Sequence, residues 1–272
     1  MNYLKHFELK KEPFSNAPVR DFYFNSKNHS DAMLRLKYVV EERKGLGVVM
    51  GKVGTGKTTL ARRLFYSLDD SEYVSGMIVM VHSGITSTWL LGRIAQQLGV
   101  INPSKNKLER LKQLYRRLVQ IDRQGKKAVI LIDEAQMLAT KDIWEELRGV
   151  LNMEITNKKL ITFLLFGLEE LNENIQLDEP FSQRVALKYQ LKPLSLNFVN
   201  EYIKFRLISA GAKKMCFSRE SVVMIYKFST GIPRLINTIC DNAMFESYVQ
   251  KKTVITKELI VEVATSLGLE NK

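Results

Sequence analysis

Residues 51–59 read GKVGTGKTT and match the G-x-x-x-x-G-K-[ST] pattern of a phosphate-binding loop. The apolar residues 48–50 before the motif predict a buried strand, and residues 59–64 after it predict a helix. Glycines in such a loop allow backbone N–H groups to point at phosphate oxygens, and the helix N-terminus adds the positive end of its dipole. A glycine-rich turn without a ligand is the alternative, but the flanking strand and helix favour a nucleotide site.

The motif assigns roles to its side chains. Lys57 is expected to reach the β- and γ-phosphates of ATP, and the hydroxyl of Thr58 is expected to bind Mg²⁺. The other residues of this loop that are expected to contact the nucleotide are Gly51, Val53, Gly54, Thr55, Gly56 and Thr59. ATP and Mg²⁺ are therefore the predicted cofactors.

A second apolar run, at residues 127–132, ends in two acids, Asp133 and Glu134. Acids at the carboxyl end of a parallel strand lie where ligands bind in open α/β sheets. Asp133 is expected to hold Mg²⁺ through water, and Glu134 is expected to orient or activate the attacking water. The pair is typical of a Walker B strand.

The remaining pattern predicts the fold class. Apolar runs at 77–81 and 160–166 alternate with helical patterns, which predicts an α/β fold with a parallel sheet and helices on both faces. The helices predicted around this sheet are 30–42, 86–98, 108–121 and 141–152. No strand pattern occurs from residue 198 onward, and four helices predict a small all-α domain: 197–210, 218–229, 233–249 and 256–267. We expect three parts: an N-terminal segment and helix packed on the core (1–44), a nucleotide-binding core (45–192) and a helical lid domain (193–272).

Composition narrows the class of protein. The hydrophobic content of 45% allows a full core, and the two cysteines lack metal or redox spacing, which favours a reducing compartment. The charged N-terminus is not expected to be a signal peptide, and no apolar run reaches the roughly 18 residues of a transmembrane segment. We expect a cytoplasmic protein, and a peripheral position at the inner membrane is compatible with this expectation.

The net charge of +12 indicates an acidic partner, either nucleic acid or an anionic membrane. Most basic residues occur in scattered pairs, which are typical of solvated faces rather than of a binding stripe. The densest candidate patch for duplex DNA comprises Lys105, Lys107, Arg110, Lys112, Arg116 and Arg117. Charge alone leaves DNA binding open.

The order of phosphate loop, acid-ended strand and small helical domain resembles that of AAA+ ATPases, and the details resemble the ExeA/GspA-type secretion ATPases. The motifs that carry this resemblance are FEL at 7–9, EPF at 12–14, Pro18 to Phe24, His29 with Ala32, GKVGTGKTT at 51–59, LIDEAQ at 131–136, QRV at 183–185, LKPLS at 191–195 and GIPRLIN at 231–237. The same core is similar to ATPases that regulate transposon target choice. The resemblance therefore predicts the fold and the chemistry of this protein better than it predicts the cellular process in which the protein acts.

The resemblance also implies roles for individual residues. Arg184 is expected to be an arginine finger that completes the neighbouring subunit's site, and Arg234 a lid arginine that touches the γ-phosphate of its own subunit. Phe24 is a candidate contact to the adenine. A polar residue that senses the γ-phosphate is usual where this chain has Leu168, and Asn152 is the candidate to supply that contact instead.

Three functions follow as expectations. The leading one is an ATPase that assembles into a homo-oligomeric ring or filament and drives a secretion or pilus apparatus. The main alternative is a DNA-binding regulator of transposition, and the second is a nucleotide-gated scaffold with little hydrolysis, because of Leu168. Long members of the family carry a transmembrane helix and a cell-wall-binding domain after the lid, whereas this sequence stops there, so direct peptidoglycan binding is not expected.

Overall fold

The computed structural model describes residues 3–17, 22–155 and 158–270. These residues divide into two compact units. The sheet unit contains Asn28–Gly51 and Lys57–Leu191, and the helical unit contains the described residues up to Lys27, the segment Lys52–Gly56 and the described chain from Lys192 onward.

The sheet unit is built on five parallel strands in the order β2-β3-β6-β1-β7. Their bounds are β1 (Leu46–Met50), β2 (Tyr73–Val79), β3 (Lys127–Asp133), β6 (Ile161–Gly167) and β7 (Leu187–Gln190). A two-stranded antiparallel hairpin lies outside this sheet and consists of β4 (Glu154–Ile155) and β5 (Lys158–Lys159). The strands that carry the two predicted nucleotide motifs, β1 and β3, both pair with β6.

Helices cover both faces of the sheet because the central strands are apolar on both sides. Along β3, Ile130 and Ile132 pack into one core, and Val129 and Leu131 pack into the other. One core is closed by α2 (Lys27–Glu41) and α3 (Lys57–Ser67). The other is closed by α4 (Ser87–Gln97), α5 (Lys107–Arg123), α6 (Lys141–Leu151), α7 (Leu171–Gln176) and α8 (Glu179–Ser182). A burial pattern without polar alternation is what parallel strands covered on both faces require.

The helical unit has a core of its own. It consists of α9 (Leu196–Ser209), α10 (Arg219–Ser229), α11 (Pro233–Val249) and α12 (Lys257–Ser266), together with the short α1 (Tyr3–His6). Gly231, between α10 and α11, has a φ of +76°, and a Cβ at this position would lie 1.9 Å from the carbonyl oxygen of Leu194. The turn that starts α11 therefore requires glycine.

The N-terminal segment packs in the helical unit. Phe14 is buried in that unit's core, and the guanidinium of Arg206 donates to the backbone carbonyls of Pro13 and Ser15. The sequence predicted that residues 1–44 pack on the core; residues 28–44 belong to the sheet unit, and the described residues up to Lys27 belong to the helical unit. The aromatic residues of the segment have partners far along the chain: Phe14 contacts Phe217, and Phe24 contacts Tyr202 and Phe205. Part of the stretch from Pro18 to Phe24, residues 18–21, lies outside the described residues.

The predicted fold class, a parallel α/β sheet with helices on both faces and a small all-α domain, is confirmed. Strand β7 was not predicted, because it is an edge strand whose residues Lys188 and Gln190 are exposed and interrupt any apolar run. Helices α7 and α8 were missed because each is shorter than two turns. Within the described ranges, no helix combines the length and the apolar character needed to cross a membrane.

Candidate nucleotide site

The phosphate loop connects β1 to α3, as the motif predicts. Gly51 follows β1 and donates its N–H to the carbonyl of Gly167 at 3.3 Å. Lys57 is the first residue of α3, and its side chain is only 6% exposed. Its Nζ donates to the carbonyl of Gly51 at 2.9 Å, so the ammonium lies across the first residue of the loop. A lysine held this way presents a charge at the helix N-terminus, where an anion is favoured.

Two glycines of the loop have positive φ angles, +79° for Gly54 and +101° for Gly56. Gly54 belongs to the helical unit and lies close to the start of α11: its carbonyl accepts the N–H of Arg234 at 3.3 Å, and a Cβ at this position would lie 2.7 Å from the Cβ of Arg234. Thr55 is buried and its hydroxyl donates to the carbonyl of Lys52 at 2.8 Å. The loop conformation is therefore fixed by its own hydrogen bonds and by glycine.

Other predicted loop contacts lie at the exposed rim and at the start of α3. The side chain of Val53 is 57% exposed. Thr58 and Thr59 occupy the first turn of α3 and are half-buried. Arg234 is the second residue of α11, directly after Pro233, and its side chain is exposed.

Asp133 ends β3 and is only 1% exposed. Its Oδ1 accepts the N–H of Glu134 at 3.0 Å, whereas Oδ2 is buried and makes no hydrogen bond within the described residues. Burial raises the pKa of Asp133 above its ordinary value, while the neighbouring Thr58 hydroxyl, the Glu134 N–H and the charge of Lys57 lower it. The two residues predicted to serve the metal are therefore neighbours in the structure.

These residues fit a magnesium ion. Mg²⁺ prefers oxygen ligands, keeps several waters, and is usually held by one or two protein groups together with substrate phosphates. Thr58 and Asp133 offer a hydroxyl and a carboxylate, and the buried Oδ2 is an acceptor that has no protein partner among the described residues.

Glu134 lies in a left-handed backbone conformation, with φ 54° and ψ 37°, immediately before a 3-10 helix (Ala135–Met137). This conformation is uncommon for a residue other than glycine and is concentrated at functional sites. The Glu134 Oε2 accepts a hydrogen bond from Gln136 Nε2 at 2.7 Å. Gln136 is the last residue of the LIDEAQ motif, and no role is predicted for it from the sequence. A spacing of two residues does not predict the hydrogen bond between Gln136 and Glu134, because the two side chains come together only through the left-handed turn at Glu134.

Arg184 and Asn152 are brought together in the sheet unit. Arg184 Nε donates to Asn152 Oδ1 at 3.2 Å, and Nη1 donates to the carbonyl of Pro180 at 2.7 Å. No hydrogen bond joins Asn152 to Asp133 or Glu134 in the described part of the chain. Asn152, the candidate for the polar contact to the γ-phosphate, is thus hydrogen-bonded to Arg184, the predicted arginine finger.

Phe24 lies in an aromatic cluster of the helical unit. Its ring makes an edge-to-face contact with Tyr202, with centroids 5.5 Å apart, and a tilted contact with Phe205 at 5.7 Å. The contact to adenine that the resemblance implies stays a prediction for this residue.

The basic patch proposed for DNA is largely engaged within the sheet unit. Arg110 is only 7% exposed and donates to three backbone carbonyls, and Arg117 Nε donates to a fourth at 2.7 Å. Three further members form ion pairs within 4 Å: Lys107 with Glu146, and Lys112 and Arg116 with Glu109. Arg110 and Arg117 therefore connect helices and loops of the sheet unit, whereas the side chains of Lys107, Lys112 and Arg116 stay 55%, 55% and 74% exposed. DNA binding by this patch stays a prediction.

Comparison with known proteins agrees with this geometry. A family model described as an AAA domain matches residues 40–175. Over 251 residues the chain is 33% identical to the General secretion pathway protein A of Aeromonas hydrophila. That match covers 91% of this chain but 45% of the relative, so the chain spans less than half of the relative's length.

Solved structures share the fold at low sequence identity. The Aeropyrum pernix ORC2 protein, described in ADPNP-ADP complexes, has a TM-score of 0.68 and 14% identity over 94% of this chain and 71% of its own. Drosophila ORC bound to DNA has a TM-score of 0.70 and 14% identity over 99% of this chain and 67% of its own. At this identity the likeness shows the fold alone.

Proposed function

The chain belongs to the AAA domain family, and we propose that it is an ATPase that binds ATP and Mg²⁺ at residues 51–59 and hydrolyses ATP with Glu134. The observation that carries this proposal is Asp133, a buried carboxylate with one oxygen left unpaired beside Thr58 and Lys57. A buried charged oxygen without a partner is costly for folding, and such groups are retained where a ligand uses them.

In this proposal the loop binds the triphosphate. Lys57 exchanges its bond to the Gly51 carbonyl for a bond to phosphate oxygens, and loop N–H groups contact the same oxygens. Thr58 and Asp133 would hold Mg²⁺, which would supply positive charge against the phosphates of the bound nucleotide. The glycines support this role because their positive φ angles turn the backbone of the loop.

Glu134 orients the attacking water and accepts its proton. The water oxygen forms a bond to the γ-phosphorus, the bond from that phosphorus to the bridging oxygen breaks, and ADP leaves as the phosphate is released. Only one oxygen of the Glu134 carboxylate is bonded to Gln136, which leaves the other to accept from water.

Two substitutions test the ATPase proposal. Lys57→Ala is expected to abolish tight ATP binding, since it removes the charge that meets the phosphates. Glu134→Gln is expected to bind ATP as the wild type does and to retain it unhydrolysed, since Asp133 still serves the metal. Fluorescent ATP titration and phosphate release measure the two steps separately. Normal turnover in Glu134→Gln would remove Glu134 from the mechanism.

The similarity to General secretion pathway protein A supports a proposal for the cellular process. We propose that this ATPase assembles as a homo-oligomeric ring or filament and drives a secretion or pilus apparatus. In the oligomer, Arg184 completes a neighbour's site, while Arg234 contacts the γ-phosphate of its own subunit. Support for the second role comes from Arg234 being the second residue of α11, a position near a helix start that favours an anion. Sedimentation with and without a non-hydrolysable ATP analogue tests assembly.

DNA binding is the second candidate function, because the net charge of +12 favours an acidic partner. A protein that neutralises phosphates loses affinity for duplex DNA steeply as salt rises. Titration of labelled duplex at several salt concentrations, with the ATP analogue present, tests this. Absence of binding at low salt would exclude the transposition function. The positive net charge would then be explained by an anionic membrane or a protein partner. Tight ATP binding without measurable wild-type turnover would favour the nucleotide-gated scaffold.

A further inference from the structure

The turn after β3 contains a hydrogen-bonded network centred on Gln136. Its Nε2 donates to Glu134 Oε2 at 2.7 Å, its Oε1 accepts the N–H of Leu168 at 3.0 Å, and its backbone carbonyl accepts from Asn174 Nδ2 at 2.7 Å. Gln136 therefore joins three segments of the sheet unit: the turn that carries Glu134, the residue after β6, and α7.

The orientation of the Gln136 amide follows from its partners. Leu168 N–H can only donate, and an ionised carboxylate can only accept. Rotating the amide by half a turn would place the Gln136 oxygen against the Glu134 carboxylate and its NH₂ group against the Leu168 N–H. Both bonds would then be lost, so a single orientation is stable and it always presents a donor to Glu134.

Gly167, at the end of β6, leaves space for the Gln136 side chain because it has no Cβ. A Cβ on Gly167 would lie 2.9 Å from Gln136 Oε1 and 3.2 Å from the Gln136 backbone nitrogen. The same Gly167 accepts the N–H of Gly51, the first residue of the phosphate loop, at 3.3 Å. A short path of hydrogen bonds thus runs from the loop through the end of β6 to Gln136 and Glu134.

This arrangement supplies a polar group at the position where the chain departs from its relatives. The side chain of Leu168 cannot form a hydrogen bond, but its backbone N–H is used, and the side-chain amide that it binds reaches the predicted base. Asn152, the candidate from sequence, is bonded to Arg184 instead.

We propose that Gln136 is the positioning residue of the hydrolytic site, and that its amide fixes the Glu134 carboxylate relative to the end of β6. This inference rests on the proposed ATPase function. Gln136 acts through Glu134 and not on the nucleotide, so its loss should lower kcat and leave ATP affinity unchanged. Misplacing a catalytic group by about 1 Å can cost about 100-fold in rate, and we expect a decrease of about 10- to 100-fold.

Two variants test whether Gln136 positions Glu134 or only ties the turn after β3 to Leu168. Gln136→Leu removes both side-chain hydrogen bonds at similar size. Gln136→Glu keeps an acceptor for the Leu168 N–H but places a carboxylate oxygen against Glu134. Positioning predicts that both variants lose kcat, whereas a role limited to tying the turn to Leu168 predicts that Gln136→Glu keeps its activity.

Gln190→Leu is the matched control, because Gln190 Nε2 also donates to a carboxylate, that of Glu169 at 2.9 Å, but the pair is exposed. Phosphate release, fluorescent ATP affinity and thermal unfolding are measured on all variants. The control should keep wild-type kcat, and in a Glu134→Gln background Gln136→Leu should cause no further loss.

The outcomes distinguish this inference from the function on which it rests. Wild-type turnover that is lost in Glu134→Gln, together with unchanged or raised kcat in Gln136→Leu, overturns the role of Gln136 alone. Retained kcat in Gln136→Glu, or a loss of ATP affinity equal to the loss of kcat, also overturns it. A wild type that binds ATP without hydrolysing it overturns the proposed function, and the role of Gln136 with it.

Discussion

Asp133 in the sheet unit and Arg206 in the helical unit are both buried charged side chains, 1% and 5% exposed, but their surroundings differ. The guanidinium of Arg206 donates to the carbonyls of Pro13 and Ser15 and to the Tyr202 hydroxyl, and it lies 4.6 Å from the ring centroid of Phe22. Asp133 keeps one oxygen without a partner among the described residues.

The difference separates two uses of a buried charge. Hydrogen bonds from all three nitrogens of a guanidinium turn a costly group into a connection between segments, as they do between Arg206 and the N-terminal segment. Leaving an acceptor unsatisfied lowers stability and leaves a site for a ligand. Substitution should therefore affect chemistry at Asp133 and folding at Arg206.

Arg184 tests an intermediate case, a half-buried guanidinium with bonds to Asn152 and Pro180. We expect Arg184→Ala to bind ATP nearly normally and to hydrolyse it about 10³- to 10⁵-fold more slowly, since an arginine finger acts mainly in the transition state. Phosphate release at several protein concentrations measures the effect.

A mixture with Lys57→Ala tests whether Arg184 acts between subunits. Lys57→Ala subunits cannot hold ATP but keep Arg184, so they should partly restore turnover to Arg184→Ala. If the mixture stays inactive and wild-type activity does not depend on protein concentration, Arg184 acts within its own subunit or only connects Asn152 to α8.

Asp133→Asn tests the unsatisfied carboxylate. We expect hydrolysis to fall about 1,000-fold, because several kcal/mol of metal-assisted stabilisation is lost. The free energy of unfolding without nucleotide should stay equal or rise by about 1 kcal/mol, because a buried unpaired charge is removed. Denaturant unfolding and phosphate release on the same preparation measure both. A clear loss of stability would mean that the carboxylate serves the fold.

Arg206→Met tests the satisfied guanidinium and should have the smallest effect on chemistry. It leaves two carbonyls of the N-terminal segment unpaired and should lower the free energy of unfolding by about 2–4 kcal/mol. Lys204→Ala, an exposed position on the same helix, is the control and should change it by less than about 0.5 kcal/mol. Equal stability of the two variants would contradict the role assigned to Arg206.

The parts of the molecule that the sequence predicted are those whose signal is local. The phosphate loop, the end of β3 and the helices of the helical unit each follow from a motif or a period within about 20 residues. Gln136 was missed because its partners are set by the turn at Glu134 and by β6, more than 30 residues away. The hydrogen bonds between Arg206 and the N-terminal segment have no local signal either, since Arg206 lies more than 190 residues from its carbonyl partners.

The contact between Arg206 and the N-terminal segment also orders events during synthesis. Phe14 and its neighbours leave the ribosome well before their partners in α9 to α12 are made. The sheet unit, complete once Leu191 has emerged, can fold while the N-terminal aromatic residues remain exposed. Because non-local contacts are slow to form and exposed apolar surface promotes aggregation, this interval is the most vulnerable stage of synthesis. Chaperone demand should therefore depend on residues 3–17 and on the described residues from Lys192 onward, which belong to one unit.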